Sequence, residues 1–288
     1  MEHVDQFREE LIRQEKSTNT ISNYIRTIAD FAKYIEGRTG KQFDPKEMIE
    51  LDIREYKSYL LSNAKQNPAS INNKLSGLSK FCDYLSAIGV LSSNPAKAVK
   101  KVKIQAKDTA PKSLSKNDFY KLRREFHRSV NLRDIAIIET LYNTGCRVSE
   151  LCNIELDDIQ ISERKGTLTI RSGKGSKYRT IPLNAPIRKA ISDYLGVRPL
   201  TNDKRLFLGQ RGALRREAVF RILNRYATKA NVGEVSPHML RHTFCRELLT
   251  SGVDITTVAT LAGHANINTT MVYTQPTEDE KISALGKL

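Results

Sequence analysis

The stretch Ser236-Pro237-His238-Met239-Leu240-Arg241-His242 decides how the C-terminal part of this chain is read. Ser236 suits the N-cap of a helix and Pro237 its first turn. A helix starting there places His238 and Arg241, three positions apart, on one side. Its amide end favours an anion, so one surface can hold a phosphate and serve its proton traffic. A metal site competes for the same residues, since His238 and His242 are four apart and Cys245 and His264 could join them. The glutamate of the His-Glu-x-x-His motif is missing and the spacing of the four matches no known zinc pattern, so no metal is expected.

Two further stretches add the complementary groups. Downstream, Leu261-Ala262-Gly263-His264 is followed by Asn268-Thr269-Thr270 and then by Tyr273. A phenol with a pKa of about 10 is mostly protonated at neutral pH, and adjacent cations with a proton acceptor lower the cost of using it as a nucleophile. A lone tyrosine near a C-terminus is ordinarily a packing residue; here its lead-in matters more than the residue itself. Upstream, Thr144-Gly145-Cys146-Arg147-Val148-Ser149-Glu150-Leu151 places Arg147 at an apparent helix start, just after a helix-breaking glycine. A surface ion pair with Glu150 is the modest alternative. The planar fork of arginine can also hold two phosphate oxygens at once. Two arginines, two histidines and a tyrosine form a set able to attack a phosphodiester through a phenol.

The chain has 288 residues, a hydrophobic fraction of 39% and a formal net charge of +15. That length allows one large domain or two modest ones. The charge points to a polyanionic partner, nucleic acid before an anionic membrane surface. No run is long and apolar enough to span a membrane, and no leader is expected at the N-terminus. Cys82, Cys146, Cys152 and Cys245 form no Cys-x-x-Cys pair. Reduced thiols in a cytoplasmic protein are the simplest account.

Residues 1–100 read as a small helical bundle. Ile21, Tyr24, Ile25, Ile28, Phe31, Ala32 and Ile35 keep steps of three and four, with Gly37 as the expected end. A shorter pattern starts at Asp52, and a third helix runs from Pro68 to Gly89. Residues 101–112 read as a basic linker, continuing a lysine-rich stretch that begins at Lys97. Residues 113–288 form the second domain, with a tail over 274–288. Helices are expected from Ser115, over Asn131–Tyr142, after Asn184, over Arg216–Ala230, from Pro237 and from Ile255. Leu168 and Ile170, then Ile181 and Leu183, alternate with other residues on either side of Ser172-Gly173-Lys174-Gly175-Ser176-Lys177. That is a β-hairpin with Lys174 near its tip. It lacks the full phosphate-loop pattern, so nucleotide binding is not expected there. The fold class is thus mainly α with a small β-hairpin or sheet.

The order and spacing of these motifs resemble the tyrosine recombinase (phage integrase) family over nearly the whole chain, in particular its compact Xer-like and transposon-resolvase branches. The family usually has Leu where Ala262 stands. The resemblance implies an N-terminal helical core-binding (SAM-like) domain that clamps DNA, and a C-terminal α+β catalytic domain. It implies Tyr273 as nucleophile, Arg147 and Arg241 as phosphate holders, and Glu150 as a brace. His238 would act in proton transfer, His264 as a phosphate donor, and Lys174 as general acid, while His242 would be structural. Asn72, Asn73, Lys74, Lys80, Lys101 and Lys103 are expected DNA contacts. The implied partner is double-stranded DNA with a specific recombination site, handled by a homo-tetramer on two duplexes whose tails are exchanged between protomers. No cofactor is implied. A type IB topoisomerase would share the chemistry but rejoin the original ends, and a DNA-binding regulator would bind without forming an adduct.

Overall fold

The computed structural model describes residues 2–103, 112–171, 178–210 and 212–275, together with 282, 285 and 286. Its contacts divide the chain into two units, Met1–Ala106 and Lys107–Leu288. Both are built mainly of helices, and the described strands lie in the second.

The first unit holds α1 (Glu2–Arg13), α2 (Thr18–Thr39), α3 (Glu50–Ser62) and α4 (Pro68–Ala87). Polar caps set the starts: the Ser17 side chain accepts from the Thr20 amide, and the Asn67 side chain from the Ser70 amide at 2.8 Å. Gly40, rather than Gly37, closes α2, donating its amide to the Glu36 carbonyl. Phe31, Ile53, Tyr56, Ile71, Leu78 and Phe81 fill the core. Each such side chain contributes about 1.5–3 kcal/mol on burial. After α4 the chain folds back on it. The Asn72 amide grips the Val102 backbone from both sides, donating to its carbonyl at 2.9 Å and accepting from its amide at 2.8 Å. The basic segment therefore leaves the unit from an anchored point.

The second unit opens with α5 (Lys116–Arg128), capped by Ser115, and α6 (Leu132–Thr144), capped by Asn131. Helix α6 is buried on nearly every side. Its two buried carboxylates are both paired, Asp134 with Arg133, Arg225 and Tyr226, and Glu139 with Arg123, His127 and Asn143. Next come α7 (Val148–Leu151), β1 (Ile159–Ile161), β2 (Gly166–Arg171), β3 (Tyr178–Pro182) and α8 (Ala185–Leu195). The three strands form one antiparallel sheet in the order β1-β2-β3, with Leu168 opposite Ile181 and Ile170 opposite Arg179. A two-residue ladder joins β4 (Leu208–Gly209) to β5 (Gly212–Ala213). Strands β1, β4 and β5 were not expected from the sequence, because two or three residues are too few for alternation to register. The unit continues with α9 (Arg216–Lys229), α10 (Pro237–Thr250), α11 (Ile255–Ala262), α12 (Asn268–Met271) and a 3₁₀ turn over Val272–Thr274. The main core packs α5, α6, α8 and α9 with the sheet. A smaller cluster of Phe244, Cys245, Val258, Ala262 and Tyr273 joins α10, α11 and the last turn.

Candidate active site

Three corners of the second unit converge, and local sequence explains each. The first is the end of α6. Gly145 closes that helix at φ 58°, and a Cβ there would lie 2.3 Å from the Phe244 ring, so no side chain fits. Arg147 then caps α7. Its amide donates to Glu150 Oε2 at 2.8 Å and its Nη1 to Glu150 Oε1 at 2.9 Å. Its Nη2 donates to the Gly263 carbonyl at 3.0 Å.

The second corner is the sheet. Arg179 sends Nη1 and Nη2 to the two oxygens of Glu150, at 3.1 and 2.7 Å, and Nε to the Leu261 carbonyl at 3.0 Å. Glu150 thus braces two guanidinium groups. Burial alone would raise its pKa, but the hydrogen bonds from Arg179 and Arg147 outweigh that and hold the carboxyl below its ordinary range. Gly263, at φ +71°, ends α11 beside this pair, and a Cβ on it would sit 2.5 Å from Arg179 Nη1.

The third corner is α10, begun as expected by Ser236 and Pro237, with the Ser236 hydroxyl accepting from the Met239 amide. His238 is exposed near its start, and its ring centroid lies 6.3 Å from that of His242. Arg241 is 4% exposed. Its Nη1 donates to the Gly145 carbonyl at 2.6 Å, while its Nη2 is buried with no partner among the described residues. Burial, then the repulsion of Arg147, lowers its pKa, which leaves a cation ready to gain from an anion. The phenol of Tyr273 is buried within reach of the Arg241 charge, and its oxygen shares a hydrogen bond with His242 Nδ1 at 2.6 Å. The Tyr273 ring stacks at 6.2 Å from that of His264, whose Nδ1 meets the Thr270 hydroxyl at 2.8 Å.

Electrostatics separate the cations from the proton carriers. Burial, reinforced by the positive charge of Arg241, Arg147 and Arg179, pushes His264 down to about 4. Burial, then His238 and Arg241, likewise takes His242 to about 4. Both rings are therefore neutral at pH 7. Burial and Cys245 push Tyr273 up to about 12 although Arg241 and Arg147 pull the other way. From that value, ionising the phenol at pH 7 costs about 7 kcal/mol. Burial also pushes the Cys146 thiol up to about 11, so this cysteine beside Arg147 is a packing residue rather than a reactive one.

Arg147, Glu150, His238, Arg241, His264 and Tyr273 all belong to these corners. Lys174 lies outside the described residues. Of the residues named for DNA contact, Asn73, Lys80, Lys101 and Lys103 are exposed. Asn72 is engaged by Val102, and Lys74 pairs with Asp30 at 2.7 Å. Among the described residues no group of three or more His, Cys, Asp or Glu side chains could hold a metal ion.

One site residue escaped the sequence reading. Arg179 shares a strand face with buried Ile181, and a charge at an inward position signals a buried partner. His242, expected to be structural, has its Nδ1 2.6 Å from the phenol of Tyr273. Ala262, where the family usually has Leu, is fully buried in the cluster that seats the Tyr273 ring.

Comparison with known proteins addresses the family and the two-part fold. The model of the phage integrase family matches residues 112–280, and that of the phage integrase N-terminal SAM-like domain matches residues 4–87. The chain is 34% identical over 283 residues to the TnP I resolvase of Bacillus thuringiensis, covering 96% of each protein. It is 33% identical over 275 residues to a tyrosine recombinase XerC of Thermodesulfovibrio yellowstonii, covering 91% of this chain and 87% of that one. A crystal structure of XerH site-specific recombinase bound to a palindromic difH substrate shares the fold, with a TM-score of 0.76 at 22% identity over 92% of this chain and 78% of the other. With sequence and architecture in agreement along both units, the chain belongs to the phage integrase family and is a tyrosine site-specific recombinase.

Proposed function

We propose that Tyr273 is the nucleophile of two successive transesterifications on duplex DNA. In the first, the Tyr273 oxygen bonds to a backbone phosphorus and the bond to the 5′-oxygen breaks, leaving a 3′-phosphotyrosyl link and a 5′-hydroxyl. In the second, a 5′-hydroxyl from the partner duplex attacks that link and releases the tyrosine. Each step exchanges one phosphoester for another, so no nucleotide cofactor is required. Arg147 and Arg241 hold the phosphate and stabilise the charge that develops on it, an effect worth about 3–4 kcal/mol for each donor. His264 donates a hydrogen bond to the phosphate, His238 serves proton transfer, and Lys174 protonates the departing 5′-oxygen. Glu150 keeps Arg147 in place.

One observation carries this reading: Arg241 has an orphaned, buried Nη2, and its charge acts on the buried phenol of Tyr273. A buried donor without a partner costs stability, and a phosphate oxygen would satisfy it. In the first unit, Asn73, Lys80, Lys101 and Lys103 are the groups free to contact DNA. That unit and the basic segment after it serve as the DNA clamp, and 113–288 as the catalytic domain. Four protomers act on two duplexes, linked by exchange of the tail. Ile282 and Leu285 are exposed at 68% and 69%, which supports a partner for that segment on another protomer. The enzyme works in the cytoplasm, where its DNA is. No helix among the described residues is long and apolar enough to cross a membrane.

The test uses a nicked duplex carrying the site that the protein itself selects from a randomised pool. Wild type should trap a denaturation-resistant protein–DNA adduct, and Tyr273→Phe should bind the duplex with equal affinity and trap none. An adduct with the Phe variant would refute the assignment.

A further inference from the structure

We infer that His242 orients the nucleophile: its Nδ1 accepts the phenolic proton of Tyr273 and leaves the lone pairs of the oxygen for the incoming phosphorus. This deepens the proposed function and rests on Tyr273 being the attacking group.

The geometry is direct. The Nδ1–oxygen distance is 2.6 Å, and the two ring centroids are 5.3 Å apart, tilted by 48°. A phenol has one proton to donate. With that proton aimed at His242, its lone pairs point elsewhere. His242 can accept only when Nδ1 carries no hydrogen. Burial, then His238 and Arg241, disfavour a second proton and keep the ring neutral, and the inferred arrangement carries its single hydrogen on Nε2. Nor is the ring free to wander. It stands on α10 next to Arg241, which is tied to the Gly145 carbonyl, and the Tyr273 ring packs in the cluster with Phe244, Cys245 and Ala262. Consecutive positions of one helix therefore carry the group that seats the phosphate and the group that aims the oxygen at it. The distance between those two tasks is set by a single rigid backbone rather than by the last turn, which bears Tyr273. Reaction rates are sensitive to such aim: a shift of about 1 Å at the attacking atom can cost about a hundredfold.

Two nearly isosteric variants separate an acceptor from mere bulk. In His242→Asn, the amide oxygen takes the place of Nδ1 and still accepts. In His242→Leu, the same branched shape carries no acceptor. Single-turnover adduct formation on the saturating nicked duplex should slow by about a hundredfold in the Leu variant and stay close to wild type in the Asn variant. Duplex affinity should be unchanged in both. A Leu variant as fast as wild type or faster would overturn the inference, as would an Asn variant as slow as Leu. A second measurement leaves His242 in place. In ring-¹⁵N-histidine protein, Tyr273→Phe should move the Nδ1 resonance of one histidine toward that of an unbonded acceptor. No movement would also overturn it. Failure of the wider assignment looks different, since the Phe variant would then still trap DNA.

Discussion

Glu150 and Arg241 sit in the same catalytic unit and follow opposite rules. Around Glu150 both carboxylate oxygens are bound, Arg147 and Arg179 share the charge, and the Leu261 and Gly263 carbonyls take further donors. Around Arg241 there is one carbonyl, no carboxylate paired with it among the described residues, and a buried donor left over. The first region is saturated and holds its shape. The second is left short of negative charge, a cost that the folded protein bears and that the proposed phosphate would relieve. A site for a polyanion needs both: cations that stay put, and cations whose demand is unmet.

Four substitutions or titrations can break or sharpen that contrast. The largest effect is expected from Arg241→Ala. Adduct formation should fall by about 3–4 kcal/mol in transition-state stabilisation, several hundredfold or more. The melting temperature should hold or rise, because the variant removes a buried cation that lacks a pair. A large loss of stability in calorimetry would show that Arg241 belongs to the scaffold. Glu150→Gln should do the reverse and cost about 3 kcal/mol in denaturant unfolding, since two guanidinium groups lose their shared counter-charge. An unchanged midpoint would remove the case for a braced region. Gly263→Ala is expected to cost about 1–3 kcal/mol, from its positive φ and from pushing Arg179 off Glu150. A stability equal to wild type would mean that Arg179 yields without consequence.

The smallest effect concerns pH. His242 and His264 have folded pKa values near 4, below the ordinary histidine value. Between pH 6.5 and 4 the unfolded chain binds more protons, so stability is complete above about pH 6.5 and is lost as pH falls through that window. Because both rings are only partly buried, the loss should be about 1 kcal/mol in total. Replacing both by Asn should flatten the acid limb of the melting curve. Duplex binding near pH 5.5 should also take up protons, because a bound phosphate offsets the arginine field. A calorimetric binding enthalpy independent of buffer ionisation would contradict that.

Much of this was legible in the sequence because periodic or punctuated features announce themselves. Ser115, Asn131 and Ser236 mark helix starts by side chains that bind backbone amides, and each caps the expected helix. The alternation of Leu168 with Ile170 and of Ile181 with Leu183 gave the hairpin strands. What stayed hidden depends on partners distant along the chain. Arg179 reads as one more basic residue in a basic protein until Glu150, 29 positions away, is seen to meet it. Asn72 looks like a polar surface residue until the chain returns at Val102. His242 suggested a metal ligand by its spacing along α10 and a structural residue by resemblance, whereas its partner, Tyr273, lies 31 positions on. Helix α2 outruns Gly37 because nothing in its surroundings forces a stop before Gly40.

Gly145 performs no chemistry, yet it ends α6, lends its carbonyl to Arg241 and leaves room for the Phe244 ring. Completion of one helix and construction of the anion seat are thus a single event in folding, and neither can be tuned alone. A library randomised across this unit should find position 145 as intolerant as Tyr273, with variants at 145 failing by misassembly rather than by lost reactivity.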